Sequence, residues 1–165
     1  MASGAGNETQ APPRGRLLRI GIAVAAIVAI DQLVKAWVVA SLSDGPMKVI
    51  GDDVQFQLSR NPGSAFGRFQ GMTTLLAVGA IIVSILIVRE ARNATDRVRL
   101  VGFVLVLGGA LGNLSDRIFR SPGFLRGHVV DFVAVGHFPV FNVADSCITI
   151  GAIILIWGTL RASPS

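Results

Sequence analysis

Residues 128–154 read HVVDFVAVGHFPVFNVADSCITIGAII. The apolar run that begins at residue 143 continues to about residue 160. That length is close to the ~20 residues a helix needs to cross the hydrocarbon core of a bilayer. Two carboxylates sit in this greasy context: Asp131, wrapped in VVDFV, and Asp145, at the head of the run. A carboxylate in apolar surroundings costs free energy unless it is paired or protonated. Three purposes would justify the pair: an ion pathway, a structural contact, or a proteolytic dyad.

The rest of the chain supports the membrane reading. Of its 165 residues, 52% are hydrophobic, and the mean hydropathy is +0.63. A soluble domain of this size needs more polar surface than that. Four apolar segments are predicted to span the membrane, near residues 17–40, 72–88, 98–114 and 143–160. The expected fold class is therefore an all-α multi-pass membrane protein. Residues 1–16, MASGAGNETQAPPRGR, are small, polar and proline-containing, and are expected to be a disordered tail. Residues 17–161 form one domain, and 162–165 a short second tail.

The first segment has an arginine-rich flank and ends in VVA before SLS, as a cleavable signal peptide would. Asp31 and Lys35 interrupt it before that site, so it is read as a retained helix. The net charge of +5 comes mostly from arginines at the ends of apolar runs. These are topology signals, and the absence of an aromatic-interleaved basic stripe argues against nucleic acid. Arg14, Arg16 and Arg19 precede the first helix, Arg89, Arg92, Arg97 and Arg99 crowd the second link, and Arg161 follows the fourth helix. The positive-inside rule then places both termini in the cytoplasm and the links 41–71 and 115–142 outside. In the first outer link, DVQFQL alternates like a half-exposed strand and NPG marks a turn.

This topology gathers the polar residues at one membrane face. Asp31 and Lys35 are four positions apart in the outer half of the first helix and share a face. Asn113 is expected to end the third helix, with Asp116 and Arg117 following as a charge clamp. Asn142 and Asp145 open the fourth helix, where Asp145 has the alternative of serving as N-cap. Asp131 is placed in the second outer link and Asn61 in the first. Asn113 and Asn142 have the further reading of tying helices together, and Asn61 that of a turn residue. GGALG at 108–112 fits close helix approach.

The single cysteine, Cys147, lies inside the fourth apolar run. It excludes an internal disulfide framework and a CxxC metal pair, and packing is its expected role. No GxSxG elbow, HExxH or P-loop is present, which leaves the carboxylates as candidate catalysts. Two neighbouring aspartates compete for one proton. One then serves as acid and the other as base toward a water and a peptide carbonyl. A proton-coupled transporter using Asp31, Asp131 and Asp145 would be expected to spread them through the bilayer depth, and a scaffold would not need an asparagine beside each acidic cluster.

Five blocks together, DQLVK at 31–35, RNPGSAFG at 60–67, GGALGNLSDR at 108–117, VVDF at 129–132 and FNVADS at 141–146, resemble the bacterial lipoprotein signal peptidase (signal peptidase II) family. The resemblance covers nearly the whole chain. It implies four transmembrane helices with a small extracytoplasmic β-cradle and a short surface helix, in the bacterial cytoplasmic (inner) membrane. It implies an aspartic endopeptidase that cuts a diacylglyceryl-modified prolipoprotein just before its lipidated cysteine. Asp131 and Asp145 would be the catalytic pair. Asn61, Gly63, Asn113, Arg117 and Asn142 would line the site and hold substrate, while Asp31, Lys35 and Asp116 would be structural polar residues. No metal or other cofactor is implied. Partners would be the prolipoprotein, membrane lipid and globomycin-type inhibitors, with the enzyme a monomer. The link VAVGHFPV between the last two blocks is shorter than in some relatives.

Overall fold

The computed structural model describes residues 14–63, 73–94 and 96–162. Residues 1–13 of the expected tail, residues 64–67 of the second motif block and residues 163–165 lie outside them. Seven elements follow in order: α1 (Arg14–Ser41), β1 (Met47–Ile50), β2 (Val54–Asn61), α2 (Thr73–Asn93), α3 (Arg97–Phe119), β3 (Val129–Val135) and α4 (Val143–Ala162). All four helices are long and apolar enough to cross a membrane. Their bounds differ from the sequence expectation in one consequential place. α3 runs five residues past 114, so Asp116 and Arg117 stand in its last turns rather than after its end. α1 also begins inside the expected tail, at Arg14, α2 continues to Asn93, and α4 reaches Ala162.

α3 is the central helix. Its most apolar window is 44% buried, against 11% for α1 and for α4. Small residues let its neighbours approach. A Cβ on Gly109 would lie 2.4 Å from the Ala144 carbonyl oxygen of α4, and one on Gly108 would meet Ile27 of α1 at 2.8 Å. The GGALG motif therefore seats two different helices, each glycine facing its own neighbour. At the arginine-rich end, Val24, Ile87, Ala91, Phe103 and Leu107 close an apolar cluster across α1, α2 and α3. Asp96 caps α3 there by accepting from the backbone N–H groups of Val98 and Arg99.

At the other end lies an antiparallel sheet of order β1-β2-β3. The alternating segment is its middle strand. Pairing sets Ser59 opposite Asp131 and Arg60 opposite Val130. Because successive side chains point to opposite faces, Val130 and Phe132 turn toward Val38 and Leu42 of α1, and Asp131 turns away from them. Asp131 is thus a strand residue, where the sequence suggested only a link. The short surface helix implied by the resemblance is not among the elements of the described residues.

Candidate active site

The site begins with a charge cluster between α1 and α3. One turn separates Asp31 from Lys35, and the Lys35 ammonium lies 2.8 Å from Asp31 Oδ2, as their shared face required. It also lies 2.9 Å from Asp116 Oδ2. All three side chains are fully buried. Asp116 further accepts from Arg120 Nε at 2.6 Å and from the Val130 backbone N–H at 3.1 Å. Asp116 therefore pairs with Lys35 and Arg120, and the expected clamp with Arg117 does not form. This pairing explains why α3 continues past Asn113: its last polar turns find partners inside the protein instead of water. Gln32 completes the cluster by donating to Gly112 O at 3.1 Å and to Asp116 Oδ1 at 3.2 Å. The sequence reading passed over Gln32 and Arg120; their i+1 and i+4 positions beside two buried aspartates were the available signal.

The cluster is joined to the two aspartates of interest by asparagines. Lys35 Nζ donates to Asn113 Oδ1 at 3.0 Å, which leaves the Asn113 amide nitrogen to donate to Asp145 Oδ1 at 2.7 Å. Asn142 is the N-cap of α4. Its Oδ1 accepts from the Asp145 N–H at 2.9 Å, and its own backbone N–H donates to Asp145 Oδ2 at 3.1 Å. This reciprocal pair is a capping box with aspartate in the third helical position, so Asp145 is not itself the cap. Asp31 Oδ1 takes the neighbouring orphan N–H, that of Ala144, at 3.0 Å. The Asn142 amide nitrogen reaches three acceptors: Asp131 Oδ1 at 2.7 Å, Asn113 Oδ1 at 3.1 Å and Val130 O at 3.4 Å.

Asp131 receives its second donor from Asn61 Nδ2 at 2.9 Å. Asn61 is held in turn by the Gly63 N–H, which donates to its Oδ1 at 2.8 Å. Gly63 adopts φ +109, a conformation that favours glycine, and a Cβ there would also press 2.8 Å from the flexible end of Leu76, at Cδ1. Arg117 Nη1 donates to Gly127 O at 3.1 Å and to Asn61 O at 3.4 Å. Thr73, at the start of α2, donates to the Pro62 carbonyl.

Each oxygen of both carboxylates thus accepts from an asparagine. The two aspartates, with Asn61, Asn113 and Arg117, line one cavity of about 330 Å³. Its remaining wall is apolar and comes from α2 with Leu76, Ala80 and Val83, from α3 with Val106, Ala110 and Leu114, and from Ile148 of α4. Asp131 is only 3% exposed. Burial pushes its carboxyl up from 3.8 to about 6, and the negative charge of Asp145 adds to the rise while the Asn61 and Asn142 amides oppose it. Two carboxylates bridged by one asparagine at the edge of a half-apolar cavity can share a proton and address a water between them. Every candidate residue named from the sequence stands in this assembly. Asn61, Asn113, Arg117, Asp131 and Asp145 line the cavity; Gly63 and Asn142 hold those lining residues, and Asp31, Lys35 and Asp116 form the buried cluster beside them.

Comparison with known proteins agrees with this architecture. The family model for signal peptidase (SPase) II matches residues 23–161. The chain belongs to the signal peptidase II family. It is 49% identical over 155 residues to a lipoprotein signal peptidase of Rhodococcus jostii (strain RHA1), covering 91% of this chain and 78% of that relative. It is 45% identical over 157 residues to a lipoprotein signal peptidase of Mycobacterium tuberculosis (strain ATCC 25618 / H37Rv), covering 94% and 77%. Among solved structures, a bacterial membrane enzyme determined by the in meso method at 1.9 Å resolution superposes with TM-score 0.77 and 29% identity, covering 93% of this chain and 98% of that one. A second such structure, at 2.3 Å, gives 0.75 at 29% identity, covering 92% of each chain. The matched span of the signal peptidase II family includes Asp31, Asp131 and Asp145.

Proposed function

We propose that this chain removes signal peptides from diacylglyceryl-modified prolipoproteins, cutting before the lipidated cysteine, with Asp131 and Asp145 as an aspartic dyad. The observation that carries the reading is Asn142, which donates to both carboxylates that line one cavity. The relatives named lipoprotein signal peptidase supply the substrate class.

In the proposed reaction Asp131 holds the proton at rest, because it is the more buried carboxyl and its affinity for a proton is raised. Asp145, ionised, takes a proton from water as the water oxygen bonds to the scissile carbonyl carbon. Asp131 gives its proton to the carbonyl oxygen, forming a gem-diol. On collapse the C–N bond breaks, Asp145 returns its proton to the leaving nitrogen, and a diol hydroxyl reprotonates Asp131. Both carboxyls end as they began, with no covalent intermediate and no metal. Asn61, Asn113 and Asn142 keep the carboxylates aimed, and Arg117 and Gly63 border the space left for the substrate backbone. The apolar wall suits a lipid-embedded substrate. With the arginine-rich ends inside, both termini are cytoplasmic and the site opens near the outer face of the inner membrane, in a monomer. Globomycin-type peptides would inhibit by filling the same cavity.

The test assays wild type, Asp131→Asn and Asp145→Asn on a lipidated and an unlipidated precursor, with and without globomycin. Each variant is expected to remain folded and to lose roughly 10²- to 10⁴-fold or more in rate, the range for removing a general acid or base. Wild type is expected to need the lipid and to be blocked by globomycin. Full activity in either variant would sink the dyad assignment. Equal cleavage of both precursors would remove lipid recognition from it.

A further inference from the structure

The end of α3 and the loop after it, residues 119–128, read FRSPGFLRGH. The loop is tightly built. Arg126 N–H donates to Gly123 O at 2.9 Å, Gly127 N–H to Arg117 O at 3.0 Å and His128 N–H to Ser121 O at 3.0 Å. A Cβ on Gly127 would lie 2.1 Å from Asp116 O, so the loop is seated directly on the helix end. From this base Phe119 and Phe124 project outward, 82% and 70% exposed.

Beside Phe119 is a hollow of about 410 Å³ where Arg60, Arg120 and His128 converge with Ser121. It is separate from the candidate active site: Arg60 is paired across the sheet with Val130, on the face opposite Ser59 and Asp131. Among the described residues no carboxylate lines it. Asp116 stands behind Arg120 at 2.6 Å, and Asp116 and Asp31 together are matched in charge by Lys35 and Arg120. Among the described residues no carboxylate pairs with Arg60, so Arg60 brings one uncompensated positive charge to the hollow.

We propose that this hollow binds the phosphate headgroup of an anionic glycerophospholipid, in the leaflet that Phe119 and Phe124 enter. Phe119 is the last residue of α3, a helix long and apolar enough to cross the bilayer, so Phe119 and the loop after it lie at the membrane boundary. That placement sets Arg60, Arg120 and His128 at headgroup depth. Basic residues there attract anionic lipid, and guanidinium forks match phosphate oxygens. Two exposed phenylalanines favour an amphiphile over a soluble phosphate or an acidic peptide. The bound lipid would brace the end of α3, where Asp116 holds the Val130 N–H next to Asp131.

The test uses the full chain in detergent micelles, with retained lipid counted by native mass spectrometry while phosphatidylglycerol and phosphatidylcholine compete at equal concentration. Wild type is expected to retain phosphatidylglycerol preferentially. The variant Arg60→Gln/His128→Gln should lose at least roughly five-fold of that preference, the equivalent of about 1 kcal/mol for the arginine at an anionic surface. If the double variant fails to fold, Arg60→Gln alone, at an exposed position, carries the same expectation. The proposal is overturned if wild type retains both lipids equally, or if the folded variant keeps the wild-type preference. It is also overturned if soluble glycerol phosphate or an acidic peptide displaces phosphatidylglycerol at matched concentration.

Discussion

The Asn142 side-chain amide donates to Asp131 Oδ1 at 2.7 Å while the Asn142 backbone N–H donates to Asp145 Oδ2 at 3.1 Å. One fully buried residue thus caps a helix and holds two carboxylates from different elements. Asn142→Ala should lose the cap, costing about 1 kcal/mol, and leave Asp131 without one donor. We expect thermal stability to fall slightly and the cleavage rate to fall by about 10²-fold or more, the size of losing one preorganised donor. Comparing the melting curve with single-turnover cleavage separates the two losses; a rate loss no larger than the stability loss explains would argue against the bridge.

The raised proton affinity of Asp131 has two consequences with definite sign. Its carboxyl moves from 3.8 to about 6 on folding, by burial and then by the charge of Asp145. Folding therefore favours the protonated form. The stability this group contributes is complete below 3.8 and is lost as pH rises through about 6. Subtracting the pH dependence of Asp131→Asn from that of wild type in thermal unfolding isolates the effect, and a flat difference across this window would contradict it. For activity, the dyad needs one proton, so kcat/KM should decline on the basic side with an apparent pKa near 6 that belongs to the pair.

Removing the neighbouring charge should move the same group downward. In Asp145→Asn the Asp131 carboxyl loses the repulsion that helped raise it, so its titration should shift to lower pH. Infrared difference spectra of the protonated carboxyl stretch report this directly in an inactive protein. A titration that stays in place would mean burial alone sets it.

Lys35 balances two buried carboxylates and reaches the Asn113 amide at 3.0 Å. Lys35→Met should strand Asp31 and leave Asp116 with Arg120 as its one cationic partner, destabilising by about 3–5 kcal/mol, as expected when one partner of a buried ion cluster is removed. Lys35→Met/Asp31→Asn should be less destabilised than Lys35→Met, because the stranded charge is gone. Equal melting temperatures for the single and double variants would count against this pairing.

Two helix glycines, Gly79 of α2 and Gly109 of α3, offer a stability test with opposite signs. In an ordinary helix Gly→Ala gains about 1 kcal/mol. Gly79→Ala in α2 meets nothing within 4 Å and should show part of that gain. Gly109→Ala places its Cβ 2.4 Å from Ala144 O, a backbone atom one residue from Asp145. Overpacking should cost about 1–3 kcal/mol and shift α4, lowering activity as well. Unfolding in detergent micelles distinguishes the two; stabilisation by Gly109→Ala would refute the close approach of α3 and α4.

Much was legible in the chain itself because it is local. Hydropathy summed over twenty or so residues located four helices, and the spacing of Asp31 and Lys35 on one turn anticipated their ion pair at 2.8 Å. The alternation in residues 53–58 anticipated the middle strand, and the five motif blocks anticipated the family. What stayed hidden depends on partners far apart in sequence. Nothing near residue 116 shows that Asp116 pairs with Lys35 from another helix, so α3 seemed to end too early. Whether Asn142 or Asp145 caps α4 rests on which amide meets which N–H within about 3 Å, and only the packed bundle decided it. Topology anticipated that Asn61, Asn113, Asp131, Asn142 and Asp145 gather at one membrane face, but the hydrogen bonds that join them belong to tertiary structure for the same reason. Apolar content determines which segments leave water, a property each segment carries alone. Hydrogen-bond direction is set only when strands and helices from four parts of the chain meet.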